Sequence, residues 1–184
     1  EPIGLWELTE GEFRSEQPPP FWAFPWAGGQ ALARYVLDHP DVVAGRRVLD
    51  IAAGSGVVSI AAARAGAAHV RAAEIDPLAV TAIELNALAN GVSVTAELVD
   101  LLDGDAGDAE VVLAGDVFYS KPMSDRMMRF LRRSQRAGAR VLVGDPERAY
   151  LPRAAFRALA TYQVPVPPAL ESVRVKTTTV WALS

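Results

Sequence analysis

The sequence predicts an α/β domain whose mostly parallel sheet is doubly wound, with helices on both faces. Two observations predict it. Short apolar runs alternate with stretches of helical periodicity over most of the chain, as they do where helices connect parallel strands. Hydrophobic residues also make up 51% of the sequence, which suits a sheet covered on both faces. A chain of 184 residues fits one domain with a substantial core, so we expect a single domain over residues 1–184.

The helices are indicated by apolar spacing and by residues that start or stop a helix. Apolar residues recur at helical spacing over residues 28–39, where we expect the first helix. Gly66 is expected to stop the next helix, which begins at Ser55, because glycine readily takes the left-handed conformation that ends helices. Pro77 suits a helical first turn and opens a helix that reaches about Asn90. Two further helices are predicted over residues 122–137 and 152–160.

Apolar runs too short for helices lie between these segments and predict strands. Five are expected before the C-terminal region, over residues 47–51, 69–74, 92–99, 109–115 and 140–144. Residues 161–166 and 172–183 are rich in β-branched and aromatic residues, which predicts an antiparallel C-terminal hairpin. Residues 1–25 are rich in proline, which disfavours helix, and are expected to be irregular.

A turn of small residues follows the first strand. Residues 48–56 read Val-Leu-Asp-Ile-Ala-Ala-Gly-Ser-Gly, and the second strand ends at Glu74. This order of strand, glycine turn, helix, strand and acid is typical of nucleoside sites. Gly54 and Gly56 would let the backbone approach the ligand, and Glu74 would accept hydrogen bonds from both ribose hydroxyls. The structural alternatives are an ordinary tight turn and a solvated strand end.

The carboxylate of Asp50, just before the turn, indicates the sign of the ligand's charge. It would repel a phosphate and hold a positively charged group. S-adenosylmethionine is a nucleoside with a sulfonium, an ammonium and no phosphate, so it is the ligand we expect, with Asp50 binding the ammonium directly or through water. Capping of the turn is the alternative role. A dehydrogenase is disfavoured, because Ser59 replaces the third glycine of the dinucleotide motif.

Carboxylates recur at the ends of the predicted strands. Ligands of such sheets bind beyond the carboxyl ends of the parallel strands, so these acids should share one edge and give it a negative potential. The five acids are Asp50, Glu74, Asp100, Asp116 and Asp145. The segment 145–148, Asp-Pro-Glu-Arg, could border the channel for a molecule that accepts a methyl group, or it could form a salt-bridged loop.

Composition disfavours several other classes. The chain has no Cys and two His, which excludes thiolate metal sites and makes a zinc centre unexpected. A net charge of −4 argues against a nucleic-acid partner. No apolar stretch reaches the roughly 18 residues that span a bilayer, and the first residues resemble no signal peptide. We expect a cytoplasmic monomer without a membrane partner. The chain begins with Glu rather than Met, which leaves room for upstream residues.

From about Pro18 to its end, the chain resembles the class I, seven-stranded S-adenosylmethionine-dependent methyltransferases. More narrowly, it is similar to the lysine methyltransferases of the electron transfer flavoprotein β subunit in the segments PPPFWAFPWAGGQALARYVLDHPDVVAGRRVLD, GDVFY, RVLVGDPER and TTTVWAL. The resemblance implies a Rossmann-like seven-stranded sheet, S-adenosylmethionine as methyl donor, S-adenosylhomocysteine as product, and that β subunit as protein substrate. Ala52 departs from the family, because it replaces the first glycine of the turn. Since alanine favours φ below zero, we expect a slightly altered loop.

The resemblance also implies roles for residues around the cofactor. Asp100 would accept a hydrogen bond from the adenine amine, with Leu101 packed beside the ring. Gly115, at the end of the fourth strand, would border the cofactor together with Ala52. Trp26 would lie over the cofactor, although core packing is an equal alternative for an aromatic residue beside prolines.

Asp116-Val117-Phe118-Tyr119 follows the fourth strand, on the acceptor side of these enzymes. Methyl transfer is an in-line displacement, so the protein must align a nucleophile and receive its proton. Asp116 is expected to attract and orient a lysine amine, and Tyr119 to shape the channel. Enzymes that methylate planar amides usually carry Asn/Asp-Pro-Pro-Tyr/Phe here, so an amide acceptor is disfavoured. The alternative is a strand-end turn with a buried aromatic residue.

Other acceptors and other roles stay open at this point. The acceptor could be a ribosomal protein or a small-molecule amine. A non-catalytic nucleotide-binding module is disfavoured, because it has no need for the acceptor-side carboxylate of Asp116. Five arginines are spaced as one helical stripe opposite the apolar Met127, Phe130 and Leu131, and this stripe is either a solvated helix face or a docking surface for an acidic protein patch. Its members are Arg126, Arg129, Arg133, Arg136 and Arg140.

Overall fold

A computed structural model describes residues 20–171 and 173–184, which form one seven-stranded sheet with helices on both faces. The helices are α1 (Ala27–Asp38), α2 (Val57–Arg64), α3 (Pro77–Ala89), α4 (Lys121–Arg136) and α5 (Pro168–Glu171). The strands are β1 (Arg47–Ile51), β2 (His69–Glu74), β3 (Thr95–Leu98), β4 (Val111–Gly115), β5 (Arg140–Asp145), β6 (Phe156–Pro165) and β7 (Val175–Leu183). Single-turn 3-10 helices occur at Phe21–Ala23, Pro40–Val42 and Arg153–Ala155.

The strand order confirms the predicted fold class. It runs β3-β2-β1-β4-β5-β7-β6, with the first five strands parallel and β7 antiparallel to both of its neighbours. The carboxyl ends of β1, β2, β4 and β5 therefore meet at one edge. In the described parts of the chain, every helix is too short or too polar to cross a membrane.

Two strands begin later than predicted, because the first residues of each predicted strand make hydrogen bonds within a neighbouring turn. Val92 was expected in β3, but its N–H donates to the carbonyl of Ala87 and completes the end of α3. Ala109 was expected in β4, but its N–H donates to the carbonyl of Ala106 within a turn. Residues 1–19, which include most of the predicted irregular segment, lie outside the described residues, as does Ser172 at the predicted start of the last strand.

The predicted helix over residues 152–160 is wrong. Only Arg153–Ala155 makes a single 3-10 turn, and Phe156 already begins β6, opposite Leu183 of β7. Several alanines in this segment favour a helix, but cross-strand pairing along the whole of β7 outweighs that local preference. The pairing register shifts between Ala158 and Ala160, where a bulge interrupts the ladder.

Helix α1 lies unusually close to the ends of β4 and β5, and glycines make that approach possible. A Cβ atom on Gly28 would overlap the carbonyl oxygen of Gly144. A Cβ atom on Gly115 would lie 2.8 Å from Cα of Gly29. The start of α1 is therefore in backbone-to-backbone contact with these strands, which brings it to the carboxyl edge of the sheet.

Two apolar clusters cover the faces of the sheet. One joins α1 and α2 to the sheet and includes Leu32 and Val58. The other lies on the opposite face, where Met127, Phe130 and Leu131 of α4 are completely buried. This burial confirms the apolar face expected for α4 and leaves its arginines on the remaining faces.

Candidate functional site

The turn after β1 holds three residues in the left-handed conformation. Gly54 and Gly56 have φ values of 57° and 85°, which glycine adopts without strain. Ala52 has a φ of 55°, so the expectation that this alanine keeps φ below zero is wrong. A hydrogen bond from the N–H of Ala53 to the carbonyl of Ala73 holds the turn against β2. The turn thus keeps its glycine-type geometry at a cost of about 1–2 kcal/mol for the alanine.

Asp50 lies beneath this turn as a buried carboxylate. Its side chain accepts a 2.6 Å hydrogen bond from Ser59 Oγ on α2. Burial raises the pKa of Asp50 to about 7, the Ser59 hydrogen bonds oppose that shift, and the negative charge of Glu74 adds to it. Among the described residues, no positively charged side chain bonds to this carboxylate. A cation close to this carboxylate would stabilise its ionised form.

Glu74 faces the same turn from the end of β2. Its Oε2 accepts a 2.9 Å hydrogen bond from the N–H of Gly54, and its Oε1 accepts one of 2.7 Å from the N–H of Ile75. These two bonds fix the plane of the carboxylate while each oxygen keeps a second lone pair. Such a group can accept from two adjacent hydroxyls. The neighbouring Asp76 caps α3 through a 2.8 Å bond from the N–H of Leu78, as its position predicts.

Two tryptophans from the proline-rich segment lie near the site, in different places. Backbone atoms of Trp22 are the nearest neighbours of Gly54 on its open side, at 3.8–3.9 Å from where a Cβ would lie. The Trp22 indole Nε1 is buried and has no hydrogen-bond partner in the described part of the chain. Trp26 instead donates from Nε1 to the carbonyl of Phe21 and has the guanidinium of Arg148 5.8 Å from its ring. Trp26 stays the predicted cofactor contact, and Trp22 is a second aromatic residue, not predicted from the sequence, whose backbone lies beside the turn.

Asp100 follows β3 and is engaged on both oxygens. The N–H of Leu102 donates to Oδ1 at 3.0 Å, and Arg126 donates to Oδ2 at 3.0 Å. The bond from Leu102 is the main reason that the pKa of Asp100 is lowered. Leu101 is half-buried between these two contacts. The segment is therefore held in a fixed position beside the end of β2.

The arginine stripe does not form one free surface. Arg126 pairs with Asp103 at 2.6 Å as well as with Asp100. Arg133 donates to the carbonyl oxygens of Leu102 and Gly104 at 2.6 Å and 2.9 Å. Neither a solvated helix face nor a docking surface describes the whole stripe, because these two arginines bind the loop that follows β3 in the same chain.

Asp116, at the end of β4, is buried and bonded on both oxygens. Its Oδ2 accepts a 2.7 Å bond from the N–H of Gly28, and its Oδ1 accepts a 2.6 Å bond from Arg148 Nε. Trp26, the residue at the N-cap of α1, makes no side-chain capping hydrogen bond to this helix, and Asp116 caps it from another part of the chain. Its backbone has a φ of 60°, held by a 2.9 Å bond to the carbonyl of Gly144.

The loop after β5 contributes further charged groups around Asp116. Arg148 also pairs with Glu171 of α5 at 2.9 Å, and Glu171 pairs with Lys176. Asp145 accepts a 2.7 Å bond from the N–H of Arg148, and burial raises the pKa of Asp145 to about 6. The salt-bridged loop is the alternative that the structure confirms for this segment. No local signal pointed to Glu171, which lies 23 residues from its partner.

Tyr119 and Gly115 complete the predicted set. Tyr119 is 62% exposed, and its pKa is raised by partial burial of its hydroxyl and by the charge of Glu74. Gly115 is half-buried against Gly29. The structure thus brings the glycine turn, Asp50 and Glu74 to one side of the sheet edge and Asp116 with Arg148 to the other. In the described residues, no three His, Asp or Glu side chains form a group that could hold a metal.

Sequence comparisons find relatives among methyltransferases. A family model described as ribosomal protein L11 methyltransferase (PrmA) matches residues 30–118. The electron transfer flavoprotein β subunit lysine methyltransferase of Rattus norvegicus is 38% identical over 168 residues, which make up 88% of this chain and 66% of that protein. The chain thus spans slightly less than two thirds of that relative's length.

Structural comparisons find the same fold in solved methyltransferases. The ribosomal protein L11 methylase of Lactobacillus delbrueckii subsp. bulgaricus matches with a TM-score of 0.61 at 20% identity, covering 88% of this chain and 81% of that one. Magnesium protoporphyrin IX methyltransferase of Synechocystis PCC 6803, solved with bound S-adenosylmethionine, matches with a TM-score of 0.62 at 18% identity, covering 99% of this chain and 91% of that one. Likeness at these identities concerns the fold.

Proposed function

We propose a function from one premise: the chain belongs to the class I S-adenosylmethionine-dependent methyltransferases. It transfers the methyl group of S-adenosylmethionine to lysine side chains of a protein, and that protein is the β subunit of electron transfer flavoprotein. Its similarity to the Rattus norvegicus enzyme over 88% of the chain supports the substrate. The cytoplasmic location, the monomeric state and the lack of a nucleic-acid or membrane partner stay predictions of the sequence.

The observation that carries the proposal is the buried carboxylate of Asp50. Burial raises its pKa to about 7, and Ser59 supplies hydrogen bonds but no positive charge. An ammonium group at this point would pair with the ionised carboxylate, whereas a pyrophosphate would be repelled. The methionine end of the cofactor carries that ammonium. Trp22, whose backbone lies beside Gly54, has a buried indole N–H with no partner among the described residues, and this donor would suit the carboxylate of the same end.

The other half of the cofactor would lie between the ends of β2 and β3. Glu74 would accept the ribose hydroxyls on the lone pairs that Gly54 and Ile75 leave free. Asp100 would accept from the adenine amine, with Leu101 beside the ring. Ala52, Gly54, Gly56 and Gly115 would provide the close backbone surface.

The acceptor side would be formed by Asp116 and Tyr119. Bound S-adenosylmethionine would supply a methyl carbon activated by its sulfonium. The carboxylate of Asp116, fixed in its plane by Gly28 and Arg148, would hold an N–H of the lysine amine and orient the nitrogen lone pair. Tyr119, whose pKa is raised in part by the charge of Glu74, would line the channel between the methyl donor and the lysine amine.

Two measurements test this proposal in sequence. S-adenosylhomocysteine should raise the melting temperature of the protein as its concentration increases, and NAD at the same concentrations should not. Methyl-labelled S-adenosylmethionine and purified electron transfer flavoprotein should then give label on lysines of the β subunit. Stabilisation by NAD alone would overturn the cofactor, and an unlabelled flavoprotein would overturn the substrate. Labelling that survives Asp116→Ala at the wild-type rate would remove Asp116 from the acceptor site.

A second acceptor class is favoured by one specific observation. The ribosomal protein L11 methyltransferase model matches residues 30–118, which include the glycine turn and most of Asp116–Tyr119. Ribosomal protein L11 therefore belongs in the same assay as an alternative amine substrate, together with free lysine as a small-molecule amine. Label on one of these, and none on the flavoprotein, would change the substrate while leaving the methyl donor as proposed.

A further inference from the structure

We propose that Arg148 is a positioning residue for Asp116, and that Glu171 in the connection between β6 and β7 holds Arg148 in place. The inference rests on the proposed function, because Asp116 has a substrate to orient only if the chain methylates an amine. It adds a second layer to the acceptor side, built from the loop after β5 and from α5.

The contacts of Asp116 define what Arg148 does. One oxygen is bound by the N–H of Gly28 at 2.7 Å, and the other by Nε of Arg148 at 2.6 Å. Two donors on different oxygens fix both the position and the rotation of a carboxylate. Without Arg148, the Gly28 bond alone would remain, and the carboxylate could turn about it. The lone pairs that would meet an incoming amine are thus aimed by Arg148.

Arg148 is itself held on several sides. Its NH2 group pairs with Glu171 at 2.9 Å, its backbone N–H donates to Asp145 at 2.7 Å, and its guanidinium lies 5.8 Å from the ring of Trp26. The side chains of Arg148, Asp116 and Glu171 are 21%, 7% and 6% exposed. Such a sheltered pair is screened little by solvent, so its geometry is well defined.

Two acids and two bases of this cluster pair with one another. Asp116 and Glu171 are matched by Arg148 and Lys176. Burial pushes the pKa of Glu171 up, but hydrogen bonds from Lys176 and Arg148 lower it below its ordinary value, so this acid keeps its negative charge. Asp145 also faces Asp116 from β5, and its charge acts in the opposite sense to that of Arg148.

The pairing of Asp116 with Arg148 has a consequence for the reacting lysine. Only the neutral amine has a lone pair to attack a methyl group. An isolated carboxylate would stabilise the unreactive ammonium, because opposite charges attract. A carboxylate already paired with a guanidinium has little net charge to offer, yet its free lone pairs still accept an N–H from the neutral amine. Arg148 therefore aims Asp116 and favours the amine in its reactive form.

A double-mutant cycle tests this role. The rates are kcat and KM for label transfer to the flavoprotein β subunit, and the affinity for S-adenosylhomocysteine is measured by calorimetry. Arg148→Met should lower kcat about 100-fold, as loss of reactant alignment does, and leave cofactor affinity within about threefold. The same change in an Asp116→Asn background should cost less than about twofold, because Arg148 acts through Asp116. Arg153→Met is the matched control, since it breaks an exposed arginine pair with Glu147 nearby.

Two further variants guard against loss of folding. Arg148→Lys keeps the charge but not the fork of donors, so it should recover part of kcat. Glu171→Gln leaves Asp116 and Arg148 intact and should lower kcat about tenfold by releasing the guanidinium. If Arg148→Met keeps kcat within about threefold, or loses as much in the Asp116→Asn background, the positioning role is overturned while the proposed function stands. If the wild-type chain labels no amine at all, the proposed function falls, and this role falls with it.

Discussion

Ser59 Oγ donates a 2.6 Å hydrogen bond to the carboxylate of Asp50 beneath the glycine turn. Ser59 occupies the position at which a dinucleotide-binding turn carries its third glycine. Ser59 therefore departs from the dinucleotide motif, and its hydroxyl bonds to Asp50, the acid that indicates a positively charged ligand. Because a neutral hydroxyl cannot balance a buried negative charge, Asp50 stays sensitive to any cation that reaches it.

The pH dependence of cofactor binding follows from the raised pKa of Asp50, which is about 7. Binding of an ammonium favours the ionised carboxylate, so affinity for S-adenosylhomocysteine should rise about tenfold between pH 6 and pH 8. Calorimetry at both pH values measures this, and proton release should accompany binding at pH 6. Asp50→Asn should bind more weakly and lose the dependence. An unchanged pH profile in that variant would assign the proton to another group.

The same carboxylate should weaken the ligand-free protein at neutral pH. Its pKa is raised from an unfolded value of 3.8, so the folded state binds the proton more tightly than the unfolded state. The free energy of unfolding contributed by this group therefore falls as the pH rises from about 4 to about 7. Asp50→Asn should flatten that fall in urea denaturation curves. A steeper fall in the variant would contradict the burial argument.

Ala52→Gly should stabilise the protein. The alanine has a φ of 55°, which costs it about 1–2 kcal/mol, while glycine loses about 0.5–1 kcal/mol through its freer unfolded chain. We expect a net gain of about 0.5–1 kcal/mol in urea denaturation. Ala53→Gly is the control, because Ala53 is not among the residues with positive φ and is buried. It should lose about 1 kcal/mol. A loss in both variants would mean that the turn is not strained at Ala52.

Gly144→Ala should be strongly destabilising. The added Cβ would overlap the carbonyl oxygen of Gly28 and lie 2.9 Å from Cβ of Leu32, so α1 would have to move away from the sheet. Overpacking of this kind costs about 1–3 kcal/mol, which thermal unfolding can measure. Gly104→Ala is the control, because its nearest neighbour, the Leu101 carbonyl oxygen, would be at an ordinary 3.5 Å. Equal stability of the two variants would show that α1 yields without cost.

The two tryptophans should differ in their effect on cofactor affinity. Trp22→Phe removes a buried indole N–H from the residue whose backbone lies beside Gly54, and it should weaken S-adenosylhomocysteine binding about tenfold, the value of one buried hydrogen bond. Trp26→Phe removes a donor that already bonds to the Phe21 carbonyl, and it should change affinity less than about threefold. The reverse order of effects would return the cofactor contact to Trp26.

The parts of the fold and site that could be predicted are those with a local cause. Strands β1 and β2 lie where apolar runs end in acids, and Asp50 and Glu74 flank the turn within one contiguous segment. The start of β6 could not be predicted, because its alanines favour a helix and only pairing with β7 makes it a strand. The role of Glu171 could not be predicted for a similar reason. Its role depends on Arg148, and nothing near it in sequence marks that partner.

The position of β7 has a consequence for assembly. This strand is made after β6, yet it lies between β5 and β6 in the sheet. Until it is synthesised, β5 has an open edge on that side and β6 has nothing to pair with. Glu171 and Lys176 flank the start of β7. The ion pairs that join Lys176, Glu171 and Arg148 can therefore form only when that strand inserts. The nascent polypeptide should therefore gain its acceptor geometry last, in the same event that seals the sheet.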